Sequence, residues 1–338
     1  MWNPKGYRDT DFGLAKGESF EPDEAEIEEQ GPGPSVPYIQ TVLGPIELSE
    51  AGVTLVREHL YANPPTEGPD WHLTSQDAAL IDLETFFTVG GRTIVDTTTL
   101  AQGRSAPALE WLAQRAPVHI VASTGIDLGP DTDISWVRSS LARDVSMGLD
   151  GSSILPGMMV VRVDGRVDRF QIRAIFAMIA EMIDSAPLPI MIDLPTEDLD
   201  AGLLAEVIDA GILPDRIIAA NLGQNQDELS VKAIAELGTF LLFDDLGTHR
   251  NEPDRAIAAR VASLLGDGCQ DRILLSHGFA RRSHLIGYEG GPGLGYIVEQ
   301  FAIMLMEAGV AAQEVRTMLL ENSASALTIV PPEPLTAT

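Results

Sequence analysis

The amino-acid sequence predicts a closed parallel (β/α)8 TIM barrel of the α/β class, and three observations carry that prediction. Eight short, apolar, β-rich runs recur between residues 53 and 277. Segments with helical periodicity lie between most of them. Polar side chains gather where the runs end, the rim at which a barrel of this kind carries its chemistry.

The runs are VTLV (53–56), TIVDTT (93–98), VHIVAST (118–124), MMVVRV (158–163), PIMID (189–193), RIIAAN (216–221), TFLLFDD (239–245) and RILLSH (272–277). They read as near-continuous apolar stretches, which is the pattern of strands buried on both faces. Between them, DRFQIRAIFAMIAEMIDSA, DLDAGLLAEVIDAGI, DELSVKAIAELG and EPDRAIAARVASLLG repeat apolar residues three and four apart, one face of a helix. An open doubly wound sheet is the alternative. The count of eight weighs against it, as does the lack of a GxGxxG after the first run.

The 338 residues, 45% of them hydrophobic, are enough for one large core or two smaller ones. Fifty Asp and Glu stand against 22 Lys and Arg, and only Lys5, Lys16 and Lys232 are lysines. A net charge of −28 repels nucleic acid and anionic membranes, so neither is expected as a partner. No apolar run approaches a membrane span and the first residues form no signal-peptide core, so a cytoplasmic location is expected. The single cysteine, Cys269, permits no intrachain disulfide. Residues 1–36, with EPDEAEIEEQ and a closing GPGPSVP, read as an acidic arm, extended or partly disordered. That leaves a barrel over 37–330 and a tail over 331–338.

In strand order, the rim carries Arg57 and His59, Asp96, Thr124, Arg162 and Asp164, Asp193, Asn221, Asp244 and Asp245, and His277. The first strand is the odd one, because an apolar run ends in Arg57-Glu58-His59. No GxSxG, P-loop or cysteine-rich zinc pattern accompanies it.

Several stretches resemble the phosphotriesterase family of the amidohydrolase superfamily. QTVLGPIELSEAGVTLVREHL is similar to its opening strand pair, an N-terminal β-hairpin, and its first barrel strand. TIVDTTTLAQGR resembles the second strand with its Gly-Arg loop, and GMMVVRVDGRVDRFQ the fourth strand. RIIAANLGQNQD, RILLSH, GGPGLGYIVEQFAIMLMEAGV and ENSASAL resemble the later strands and C-terminal helices. The resemblance spans about residues 39–328. It implies two divalent metals held by four histidines, a carboxylated lysine and an aspartate, a pair of Lewis acids that generates hydroxide.

Carried onto this chain, the ligand positions are largely substituted. The first-strand His-x-His becomes Arg57 and His59. The bridging lysine falls on Val160, the fifth-strand histidine on Asp193, the sixth on Asn221, and the eighth-strand aspartate on Gly278. One of six family ligands, His59, is kept. A fixed guanidinium is incompatible with divalent cations a few ångströms away. We therefore expect no metal, and an Arg57–Asp193 ion pair in its place, with Asp164, Asp244 or Asp245 as further partners. A single divalent metal on Asp193, Asp244, Asp245 and His59 is the alternative. The eighth loop, residues 277–295, should line the pocket through Arg281, Arg282, His284 and Tyr288. His249 and His284 are loop histidines that nothing in the sequence orients.

Two functional expectations follow. One is a catalytically silent binding or structural subunit holding a small-molecule ligand in the barrel mouth, as a homodimer or paired with a related active subunit. The other is a hydrolase of esters, lactones, amides or phosphoesters with a rebuilt mononuclear or metal-free site.

Overall fold

Eight strands run in chain order around one sheet, each paired in parallel with the next. This is seen in a computed structural model that describes residues 34–183, 186–195, 200–224, 228–248 and 253–331. A hairpin of β1 (Ile39–Thr41) and β2 (Gly44–Ile46) precedes the barrel. The barrel strands are β3 (Val53–Glu58), β4 (Gly91–Asp96), β5 (His119–Leu128), β6 (Met158–Val163), β7 (Ile190–Asp193), β8 (Ile217–Ala220), β9 (Phe240–Phe243) and β10 (Ile273–Leu275). The last strand meets the first where Gly278 N donates to the Arg57 carbonyl at 2.9 Å and Arg57 N donates to Ser276 Oγ at 3.0 Å. Each of the eight runs expected from sequence contains a strand.

Seven helices cover the outside: α1 (Gln76–Thr88), α2 (Ala106–Ala113), α3 (Ile134–Met147), α4 (Arg169–Ile183), α5 (Ala201–Asp209), α6 (Glu228–Ala235) and α7 (Asp254–Gly266). Local chemistry starts several of them. Ser75, Ser105, Asp133 and Asp200 each accept a backbone N–H of the first turn, satisfying donors that a helix leaves open. A C-terminal helical segment, 297–326, then packs back on β10 and β3.

The core has two shells. Val56, Val95, Val121, Val160, Met191 and Leu242 fill the barrel interior, closed below by Ile39 of the hairpin and by Leu327. A larger layer, including Leu55, Ile94, Ile120, Val161, Ile192 and Phe243, packs the strands against the helices. Neighbouring positions on β4, β6 and β7 fall into opposite shells, the period-2 alternation of a sheet buried on both faces.

Several strand ends differ from the sequence expectation, β4, β8 and β10 by stopping one or two residues early, and those of β5 and β9 alter the rim. β5 runs on to Leu128, so Thr124 is an internal residue whose hydroxyl bonds Asp144 at 2.9 Å, and the rim position passes to Asp127. β9 stops at Phe243, and Asp245 takes a left-handed backbone (φ 64°). No helix among the described residues is long and apolar enough to cross a membrane. Residues 1–33 of the acidic arm, His249 and residues 332–338 of the tail lie outside the described residues.

Candidate ligand-binding site

At the C-terminal mouth of the barrel, the register of β3 with β4 shifts between Leu55 and Glu58. Val56 lies in the interior shell, yet the next residue, Arg57, also reaches the lumen side, a consequence of the irregularity. Its guanidinium is gripped from three strand ends. Nη2 donates to Asp193 Oδ2 at 2.9 Å, and Nη1 to Asn221 Oδ1 at 2.6 Å and, very closely, to Asp244 Oδ2. The expected Arg57–Asp193 pair is formed, and the side chains are 13% and 7% exposed.

The surrounding groups complete the network. Arg162 Nε donates to Asp193 Oδ2 at 3.0 Å and lies 3.4 Å from Asp127 Oδ1. Asn221, at φ 68°, donates its backbone N–H to Asp244 Oδ2 (3.0 Å) and its amide to Asp193 Oδ1 and to the Leu194 carbonyl. Burial alone would lower the Arg57 pKa, but Asp193, Asp244 and Asp245 together hold it above its ordinary value. Burial raises the carboxyl of Asp244, which Arg57 only partly offsets.

His59 is buried, with Nδ1 2.8 Å from Thr98 Oγ1. Burial, with the positive charges of Arg57 and Arg162 behind it, lowers its pKa to about 3, so the imidazole is neutral at pH 7. Glu58, between the two, is fully buried and faces the seam with β10. It accepts from His277 N (2.8 Å) and Phe279 N (3.1 Å), lies 2.8 Å from Ser276 Oγ, and its Oε1 is 2.9 Å from His277 Nδ1. His277 stacks on Phe279 with ring centroids 4.3 Å apart. Its Nε2 is buried and meets no partner.

The mouth encloses a pocket of about 240 Å³ walled by Arg57, His59, Arg162, Asp193, Asn221 and Asp245 on the barrel side. Trp71, Gln102, Arg281 and His284 close it from the loops. The eighth loop is docked, not loose. Asp82 accepts Ile286 N (3.0 Å) and Gly287 N (2.9 Å), and Asp70 holds Ser283 twice at 2.9 Å. A side chain at Gly287 would run into the Ala78 carbonyl, so this glycine serves close packing on α1.

Several expected site residues belong elsewhere. Arg282 Nε donates to the His72 carbonyl (2.7 Å) and its guanidinium lies over Tyr288, whose hydroxyl accepts Ser75 N (2.9 Å). Both brace the loop from behind and neither lines the pocket. Asp244 lies beneath Arg57 with a side chain 1% exposed and does not line the pocket either. Asp164 pairs with Arg166 at the surface and does not pair with Arg57, because β6 ends one residue before it. Asp96 anchors the first loop by accepting Leu60 N (2.7 Å) and Thr98 N (2.9 Å). Trp71, Gln102 and Asp127 were not expected. They come from loops and a strand extension that carry no periodic signal.

The phosphotriesterase family model matches residues 37–327. The chain belongs to the phosphotriesterase family. It is 23% identical to the phosphotriesterase homology protein of Escherichia coli, over 82% of this chain and 98% of that one. It is 26% identical to N-acetyltaurine hydrolase of Xenopus tropicalis, over 86% and 97%. A lactonase structure from Listeria monocytogenes superposes with a TM-score of 0.79 at 20% identity, covering 86% of this chain and 98% of that one.

The family's two metals do not fit the residues present. Val160 is packed in the barrel interior and offers no donor. Gly278 has φ 66° and offers no donor, and a Cβ built there would lie in ordinary contact with the Arg57 stem at 3.7 Å. Both oxygens of Asp193 and one of Asp244 are already taken by Arg57, Arg162 or Asn221. Among the described residues no group of three or more His, Cys, Asp or Glu assembles that could hold a metal ion. The guanidinium contributes its charge where the family would place cations.

Proposed function

We propose that this phosphotriesterase-family protein is a metal-independent small-molecule binder, silent in the family's binuclear hydrolysis. The observation that carries the reading is the Arg57 guanidinium, hydrogen-bonded to Asp193, Asp244 and Asn221 at the metal positions. A cation there would have to displace a paired, buried arginine, at a Coulombic cost that no remaining ligand offsets. A pocket lies above it with a mostly polar lining, which supports binding without the Lewis acids.

Metal analysis of protein refolded or expressed with excess zinc or manganese tests this. Far less than two equivalents is the expected result. Restoring one ligand with Arg57→His should not recover binuclear binding, because Val160 and Gly278 still contribute no donor. Two tightly held equivalents in the unmodified protein would overturn the reading.

A second reading, hydrolysis at a rebuilt metal-free site, draws on the Glu58–His277 contact. A carboxylate on Nδ1 orients an imidazole and leaves Nε2 as the acceptor, the arrangement of a general base. Turnover of esters, lactones or acyl amides by chelator-treated protein, abolished by His277→Gln, would favour it over silent binding.

A further inference from the structure

We propose that the pocket takes a small oxyanion (a carboxylate, sulfonate or phosphonate head group) on Arg281, with Arg162 and Gln102 completing the donor set. The proposal rests on reading the site as metal-free, since it assigns the ligand's charge to side chains.

The argument begins with an imbalance. Acids outnumber bases by 50 to 22 in this chain, so a guanidinium in a pocket without a carboxylate partner is unexpected. Arg281 is such a group. Its guanidinium lies over the Trp71 ring at 4.4 Å, its Nε is buried without a hydrogen-bond partner, and no ion pair with it occurs among the described residues. Stacking on an indole fixes the plane of the fork while leaving its N–H edge available, the preorganisation that bidentate oxyanion recognition uses.

The neighbouring lining groups point the same way. Gln102 Oε1 accepts from Thr99 N (3.0 Å) and Thr99 Oγ1 (3.3 Å), so its amide N–H groups remain as donors. Arg162 reaches its carboxylates through Nε, which leaves its terminal nitrogens uncommitted, and it walls the pocket too. The carboxylates that face the pocket are occupied. Asp193 is held by Arg57, Arg162 and Asn221, and Asp245 has a partner of its own. Uncommitted donors set among carboxylates that are already engaged make an anion site. The same donors would reject a cation, and a neutral ligand would leave Arg281 desolvated and unpaired.

The test uses EDTA-treated full-length protein and a panel of C2–C8 carboxylates, sulfonates and phosphonates, each beside its neutral amide or ester. Binding is followed by calorimetry and thermal shift. The proposal expects at least one acid to bind about tenfold or more tighter than its neutral partner. Arg281→Met should abolish that preference, and Arg281→Lys should keep part of it. Which head group wins identifies the source of the charge. Equal binding of acids and neutral partners, an unchanged preference in Arg281→Met, or no binding by any acid up to about 10 mM would overturn the proposal alone. Acid binding that appears only when zinc is added would overturn the metal-free reading as well, which separates the two failures.

Discussion

Two buried arginine–carboxylate clusters among the described residues differ in what lies beside them. Arg57 sits at the mouth of the barrel with Asp193, Asp244 and Asn221, under a pocket. Arg104 sits between the β4 loop and α3. Its Nη2 is 3.0 Å from Asp144 and 2.7 Å from Asp150, its Nε also bonds Asp150, and its Nη1 donates to the Ser123 carbonyl at 3.0 Å. In both, burial opposes the charge and the neighbouring carboxylates more than restore it, so each guanidinium has a raised pKa. Asp150 also accepts Ala106 N at the start of α2, which ties Arg104 to helix placement, and the Arg104 side chain is 1% exposed. Paired charge by itself therefore does not mark a binding site. Access from a pocket, with an uncommitted donor such as Arg281 nearby, is what sets the Arg57 cluster apart.

The largest effect should come from the enclosed cluster. Arg104→Ala strands two carboxylates in the interior and should cost about 4–5 kcal/mol of unfolding free energy in urea titrations. A loss below about 1 kcal/mol would mean that water reaches Asp144, and would erase the contrast with Arg57. Arg57→Ala comes next, at about 3 kcal/mol, because pocket water can rehydrate Asp193 in the mutant. An unchanged melting temperature would show that the mouth cluster is not held as described.

The third effect sharpens the electrostatic side of the comparison through His59, beside Arg57. Its folded pKa of about 3 lies below the ordinary value of 6.5. The unfolded chain therefore binds a proton that the folded protein refuses. Stability is lost as pH falls below 6.5, by about 1.4 kcal/mol per pH unit down to the folded value. His59→Asn should flatten the slope of unfolding free energy between pH 6.5 and 5 by one proton, and an unaltered slope would refute the buried neutral imidazole. The smallest effect concerns the loop over the pocket. Tyr288→Phe removes the acceptor of Ser75 N and should cost about 1 kcal/mol without altering ligand preference. A changed preference would put Tyr288 back into the pocket wall.

Much of the fold was legible because barrel strands announce themselves. Runs such as MMVVRV and PIMID are apolar on both faces, and burial on both faces is what a parallel barrel with outer helices demands of them. The substitutions at the family's ligand positions were legible too, since a guanidinium at Arg57 and a methyl-bearing side chain at Val160 cannot ligate a cation in any conformation. Loop residues were not. Trp71 and Gln102 enter the pocket from segments without periodicity, and nothing in the chain order distinguishes Arg281, which faces the cavity, from Arg282, which turns to the His72 carbonyl.

By itself, then, the sequence determined the barrel, the identity of the rim residues and the side-chain types that stand at the family's ligand positions. Those properties follow from hydrophobic pattern and side-chain type, which are local to each position. Only the tertiary structure decided which carboxylates Arg57 engages, that Asp244 lies beneath it while Asp245 faces the pocket, and that Glu58 closes the seam with β10 through His277. Those choices depend on a register shift in β3 and on where β5 and β9 end. A shift of one residue turns a side chain to the other face of the sheet, and the packing of neighbouring strands sets that shift.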